Sequence, residues 1–97
     1  MKAYIAGKIA GDPDYEQKFQ QAREDLEGQG FTVINPSILP GGMTTADYRY
    51  TCFAMMDSAD VAAFLPDYEH SRGARLEWAW WPVCEQGGHV LEGNEFL

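Results

Sequence analysis

The sequence has few basic residues and no long hydrophobic run, and each shortage excludes a class of protein. Seven lysines and arginines stand against fifteen aspartates and glutamates, a formal net charge of −8. A nucleic-acid polymer is therefore excluded as a partner, because binding its phosphates requires clustered basic side chains. No apolar run approaches the ~20 residues that a membrane span needs, and Met1-Lys2 leads into a strand-like segment rather than a signal peptide. We expect no membrane association.

Cysteine is also scarce, since the chain holds only Cys52 and Cys84. Two thiols fit a reducing compartment better than a disulfide framework, so we expect a cytoplasmic protein with both thiols reduced. The 97 residues are enough for one domain, 1–97. A monomer of this size buries only about two-thirds of its unfolded surface. With three tryptophans, five tyrosines and five phenylalanines to cover, we expect a homodimer or larger homo-oligomer.

Short apolar segments alternate with amphipathic ones along the chain. The apolar segments predict strands at residues 3–6, 31–34, 61–65 and 89–91, with three main helices between them. Strands that alternate with helices form a parallel sheet covered on both faces, with right-handed crossovers. The sequence therefore predicts an α/β fold with a small doubly wound, flavodoxin- or Rossmann-like sheet of about four strands in the order 2-1-3-4.

The three predicted helices have recognisable starts. The first is expected to begin with Asp12 as its N-cap, followed by a proline at the first helical position. Its apolar stripe has helical spacing and consists of Tyr15, Phe19, Ala22 and Leu26. Thr44 or Thr45 is expected to cap the second helix. The predicted apolar face of that helix consists of Tyr48, Cys52, Met55 and Ala59. The third helix is expected to begin at Ser71.

The turn after the first strand is a candidate ligand site, because doubly wound sheets bind ligands beyond the carboxyl ends of their strands. This turn reads Gly7-Lys8-Ile9-Ala10-Gly11. Its glycines permit close backbone approach, and free amides at the helix start, helped by Lys8, would accept an anion. The turn is neither a Walker motif nor a dinucleotide-binding Gly-x-Gly-x-x-Gly. A tight turn that simply requires glycine is the alternative interpretation.

The turn after the third strand carries a second candidate, Ser71-x-Gly73-x-x-x-Glu77. Ser71 offers a hydroxyl beside the unpaired amides of a helix start. Gly73 leaves room for a bulky ligand against the backbone, and the Glu77 carboxylate can point back toward the sheet edge. An ordinary N-cap with a solvated glutamate is the alternative. That alternative leaves Gly73 unexplained, since glycine inside a helix costs about 0.5–1 kcal/mol relative to alanine.

Together these segments resemble the nucleoside 2-deoxyribosyltransferase-like family of bacteria and phages, and the related 2′-deoxynucleoside 5′-monophosphate N-glycosidases. The resemblance runs from about residue 3 to 91. Besides the two turns above, it includes Asn35-Pro36 and Ala59-Asp60-Val61. It implies a small nucleoside or nucleotide as the ligand, with neither cofactor nor metal. It also implies that Glu77 is the nucleophile on the anomeric carbon.

The same resemblance distributes the binding roles. It implies that the sugar or its 5′-phosphate contacts the backbone of the first turn, where the binding residues are Gly7, Lys8, Ile9 and Gly11. Ser71 and Gly73 are implied to contact the same end of the ligand. The expected activity is cleavage or exchange of the base of a (deoxy)nucleoside or its 5′-monophosphate.

Two positions depart from the family pattern. The related N-glycosidases carry an arginine where this chain has Ala10, and active members place a second aspartate where it has Cys52. Asp47 and Asp57 are each five residues from Cys52, about 140° away around a helix. Loss of the partner acid favours an alternative function, a catalytically impaired module that only binds a small nucleotide. A purely structural oligomer would leave the glycines of both turns unexplained.

Overall fold

Four strands form one parallel sheet in the part of the chain that the structure describes. The structure is a computed structural model and describes residues 1–9, 11–66, 70 and 89–92. The strands are β1 (Lys2–Ala6), β2 (Thr32–Ile34), β3 (Val61–Phe64) and β4 (His89–Glu92). They pair in the order β2-β1-β3-β4, and every pairing is parallel. This is the strand order that the sequence predicts, and the parallel α/β architecture is confirmed.

The two described α-helices cover opposite faces of the sheet. They are α1 (Tyr15–Gly28) and α2 (Thr45–Asp57), and a short 3-10 helix, Pro36–Ile38, precedes α2. Because side chains alternate along a strand, β1 contributes to two separate clusters. Ala3 and Ile5 lie in the cluster beneath α1. Tyr4 and Ala6 lie in the cluster beneath α2. All four are buried, as expected for a parallel strand covered on both faces.

The buried stripe of α1 agrees with the prediction, but the start of the helix does not. Phe19, Ala22 and Leu26 are the buried residues of α1. The predicted N-cap, Asp12, was wrong, since Asp14 holds that position without a side-chain cap and α1 begins at Tyr15. The Asp12 carboxylate instead accepts a hydrogen bond from the Asp14 amide at 2.9 Å. An aspartate carboxylate readily accepts from the amide two residues ahead and forms a local turn. Because of this turn, α1 begins later in the chain than predicted.

Helix α2 begins with the expected cap, and most of its predicted apolar face packs against the sheet. Thr44 is the N-cap, and a capping box joins it to Asp47. Met56 is the buried residue of α2, although the predicted face did not include it. Cys52 and Met55 are partly buried against the same cluster. The contact face therefore keeps most of the predicted residues, Ala59 among them, and extends to Met56.

Several predictions concern residues outside the described part of the chain. The third helix, the Ser71-x-Gly73-x-x-x-Glu77 motif and Cys84 all fall there. Among the described residues, Cys52 forms no disulfide. Neither α1 nor α2 has the length and apolar character that crossing a membrane requires. The predicted homodimer or larger homo-oligomer and the cytoplasmic location stay predictions.

Candidate functional site

The carboxyl edge of the sheet gathers the described part of the candidate site. Chain connections run from β1 through α1 to β2 on one side, and from β2 through α2 to β3 on the other. The carboxyl ends of β1 and β3 therefore flank the point where the strand order reverses, which is where doubly wound sheets bind ligands. The first turn, residues 7–14, and the second turn, residues 35–44, both begin at this edge.

Gly7 is in close contact with another residue of the chain, which leaves no room for a Cβ. A Cβ at this position would lie 2.6 Å from Leu65 Cδ1 and 3.0 Å from Leu65 Cβ and Cγ. The Leu65 amide also donates to the Ala6 carbonyl at 2.7 Å, which extends the pairing of β1 with β3. The close approach expected at Gly7 is thus made by a side chain of the same chain.

Gly11 is required by the backbone and leaves open space. Its φ of +79° lies in the left-handed region, which favours glycine, and nothing lies within 4 Å of where its Cβ would be. The Asp12 amide donates to the Ile9 carbonyl at 3.2 Å and closes the turn. The Ile9 side chain packs against the cluster beneath α1. The Ile9 side chain therefore anchors the turn to the sheet, while the space beside Gly11 stays open.

An aspartate of the chain itself occupies the start of α1. Asp12 accepts from the Asp14 amide at 2.9 Å and from Lys18 Nζ at 2.6 Å. The hydrogen bond from Lys18 is the largest of several effects that hold the Asp12 pKa below its usual value, and the charge of Lys8 adds to them. The Asp12 side chain is only 10% exposed. The Asp14 amide is thus not available to donate a hydrogen bond to an external anion.

Hydrogen bonds and one buried residue fix the path of the second turn. Asn35 Oδ1 accepts from the Ser37 amide at 2.9 Å, which begins the 3-10 helix. Pro36, the first residue of that helix, is buried. Farther along, the Tyr48 hydroxyl donates to the Pro40 carbonyl at 2.5 Å. The turn therefore keeps a defined path from β2 to α2, and the Asn35-Pro36 pair of the resemblance has a structural role in it.

Asp47 and Asp57 are the carboxylates closest to Cys52 in the sequence. Neither replaces the aspartate that the resemblance places at position 52. Asp47 Oδ2 accepts from the Thr44 amide at 3.0 Å and belongs to the capping box. Asp57 is exposed at the last residue of α2, which ends at the amino edge of the sheet. Cys52 itself packs partly buried against the cluster beneath α2. Among the described residues, no group of His, Cys, Asp and Glu side chains is arranged to hold a metal.

Asp60, another residue of the resemblance, joins two strands at the amino edge. Its amide donates to the Lys2 carbonyl at 2.8 Å. Its carboxylate accepts from the Lys2 amide at 2.8 Å. These reciprocal bonds begin the pairing of β1 with β3, so Asp60 has a structural role at the edge opposite the candidate site. The remaining predicted site residues, Ser71, Gly73 and Glu77, lie outside the described part of the chain.

The doubly wound parallel sheet of this chain has a counterpart among solved structures. The fold is similar to that of a 2-desoxiribosyltransferase from Leishmania mexicana, with a TM-score of 0.72 and 19% sequence identity. The match covers 94% of this chain and 62% of that one, so this chain spans less than two-thirds of that protein. Residues 1–86 match the family described as a domain of unknown function (DUF4406), and the chain belongs to this family. No curated protein sequence matches it significantly.

Proposed function

We propose that this domain cleaves or exchanges the N-glycosidic bond of a (deoxy)nucleoside or its 5′-monophosphate, with Glu77 as the nucleophile. The observation that carries the proposal is the fold similarity to a 2-desoxiribosyltransferase over 94% of this chain. The Ser71-x-Gly73-x-x-x-Glu77 motif adds to it, because it follows the strand that flanks the ligand-binding edge. The first turn then contacts the sugar through the backbone of Gly7, Ile9 and Gly11.

The reaction proceeds in two displacements at C1′. A Glu77 carboxylate oxygen bonds to C1′ while the bond from C1′ to the base nitrogen breaks, and the electron pair leaves with the base. The departing base takes up a proton. Water or a second base then attacks C1′ and releases the Glu77 carboxylate, which gives hydrolysis or base exchange.

Protonation of the departing base is the weak step of this mechanism. A positioned acid contributes typically 10²–10⁴-fold. In the described part of the chain, Asp47 belongs to the capping box of α2 and Asp57 lies at the other end of that helix. Cys52 occupies the position at which active deoxyribosyltransferase-like proteins carry an aspartate. We therefore expect slow turnover. The alternative, a module that binds a nucleoside without cleaving it, is supported by this same substitution.

A neutral nucleoside suits the first turn better than its 5′-monophosphate. Asp12 already accepts the hydrogen bond of the Asp14 amide, so this amide is not available to a phosphate. Asp14 and Glu16 add two exposed carboxylates at the start of α1, while Lys18 is paired with Asp12. A phosphate at this turn would face like charges, and a sugar hydroxyl would not.

Incubating the pure protein with deoxynucleosides and with their 5′-monophosphates tests this proposal. We expect slow release of free base, measured by chromatography, with faster release from the nucleosides. Adding a second free base distinguishes exchange from hydrolysis by the appearance of a new nucleoside. Nucleoside binding without base release would support the binding module. Absence of both binding and release would contradict both functions.

Restoring a carboxylate at position 52 is expected to raise the rate of base release. Cys52→Asp places a carboxyl group in a partly buried, apolar setting, and such burial raises the pKa of a carboxyl group and favours its protonated form. We expect an increase of at least about tenfold, with the ~10²–10⁴-fold of a well-positioned acid as the upper range. Cys52→Asn is the matched control, since its side chain has the same shape but no acidic proton. Equal rates for the two variants would contradict a role for an acid here.

A further inference from the structure

An exposed row of apolar side chains runs along the outer side of α2. Ala46, Tyr50 and Ala54 follow one another at a spacing of four residues and are all exposed, so they share this side of the helix. Tyr50, at the centre of the row, is 74% exposed. The row therefore presents one large side chain between two small ones.

The outer side of α1 is different, although α1 covers the other face of the same sheet. Apart from Gly28, every exposed residue of α1 carries a charge or a side-chain amide. Some of these side chains pair along the helix, as Arg23 does with Glu27 at 2.8 Å. A helix that faces water has a polar outer side of this kind, whereas apolar side chains on both sides of a helix indicate that both are covered. The contrast singles out α2 as the helix with a covered outer side.

The charges beside the row favour a second copy of this chain as the cover. Arg49 is exposed next to Tyr50, and Asp57 is exposed at the last residue of α2. The carboxyl end of a helix is the negative end of its dipole, and the last turn of α2 holds Asp57 and no basic residue. A basic side chain from a second molecule would stabilise this end. Arg49 of a second copy is such a side chain.

One antiparallel register of two α2 helices makes both contacts at once. The midpoint between Tyr50 and Ala54 is position 52, and the midpoint between Arg49 and Asp57 is position 53. One residue separates these midpoints, which is only ~1.5 Å along a helix. In a twofold pair centred there, Tyr50 of each copy packs on Ala54 of the other. Arg49 of each copy then lies beside Asp57 of the other.

We propose that the outer side of α2, from Ala46 to Asp57, is a self-association surface through which two copies of this chain form an antiparallel, twofold-symmetric dimer. This surface does not depend on the proposed reaction. A helix of 13 residues is ~20 Å long, so the contact is smaller than a standard interface of ~800 Å² per partner. We therefore expect a weak dimer, with a dissociation constant in the micromolar range.

Sedimentation equilibrium of the full chain across the micromolar range tests the apolar part of this surface. We expect a monomer–dimer equilibrium for wild type. Tyr50→Ala should raise the dissociation constant at least ~tenfold, because buried tyrosines contribute strongly at the centre of an interface. Ile38→Ala is the matched control, since Ile38 is 76% exposed but lies in the 3-10 helix outside α2. This control should associate as wild type does.

Exchanging the two charges tests the register. Arg49→Glu places acidic side chains opposite each other and should weaken the dimer at least ~tenfold. Adding Asp57→Arg restores opposite charges and should return the dissociation constant to within ~threefold of wild type. Arg23→Glu makes the same charge reversal on α1 and should leave the dissociation constant unchanged.

The substituted residues are all exposed, so circular dichroism should show each variant folded. A wild-type protein that stays monomeric across the micromolar range would overturn the inference, and so would a Tyr50→Ala dimer as tight as wild type. Failure of the charge exchange to recover association would overturn the antiparallel register. An equal loss of association in Ile38→Ala or Arg23→Glu would show that the interface lies elsewhere.

Discussion

Glu77→Gln is expected to lower base release by at least about a thousandfold while nucleoside affinity stays within a few fold of wild type. The amide has almost the shape of the carboxylate, so binding contacts are kept. It lacks the negative charge needed to form a glycosyl ester with C1′. Removing a catalytic nucleophile elsewhere costs up to ~10⁶-fold in kcat, so the effect is far larger than any indirect one. Single-turnover chromatography of released base and calorimetric titration of nucleoside measure the two quantities.

Glu24→Gln is the matched control for this substitution. Glu24 is exposed on α1 and undergoes the same change in charge and shape. We expect base release by this variant to equal that of wild type. If Glu77→Gln also released base at the wild-type rate, the glycosyl-transfer function would be wrong, and the binding module would remain as the explanation for any nucleoside affinity.

The regular parts of the fold were predictable because burial imposes a period on the sequence. In α1 the spacing of Phe19, Ala22 and Leu26 matches a helix that covers one face of the sheet, and all three are buried. The alternation of strands and helices likewise restricts the connections to a parallel, doubly wound sheet. The carboxyl edge then follows as the ligand-binding edge, without any knowledge of contacts.

Other features depend on competition between local interactions, which the period does not reveal. Asp12 is a good N-cap by residue type, but its carboxylate bonds to the Asp14 amide and to Lys18, and α1 begins later. In α2 several apolar residues surround the helix, so the face that packs is decided by the sheet beneath it. Met56 is buried there, although Met55 is equally apolar.

The sequence indicated the glycines of the first turn but not the contacts that surround them. Gly7 and Gly11 were both expected to admit a ligand, yet only Gly11 leaves open space. The partner of Gly7, Leu65, lies in a different strand segment, and their contact depends on the register between β1 and β3. No local pattern reports that register. A glycine at the end of one parallel strand and a large apolar residue just after its neighbour are the signal that would have suggested it.

Phe19→Ala is expected to lower the free energy of unfolding by about 3–5 kcal/mol, the usual loss when a buried phenylalanine is truncated. Phe19 is 0% exposed and lies in the cluster that joins α1 to the sheet and to Leu65. Domains of this kind have a total stability of about 5–15 kcal/mol, so the loss would range from about a fifth of the stability to all of it. With a urea dependence of ~1–3 kcal/mol per molar, the unfolding midpoint should fall by at least ~1 M. Gln17→Ala, exposed on the same helix, should change the stability by no more than about 0.5 kcal/mol. A Phe19→Ala midpoint as high as that of Gln17→Ala would mean that α1 does not pack on the sheet through this side chain.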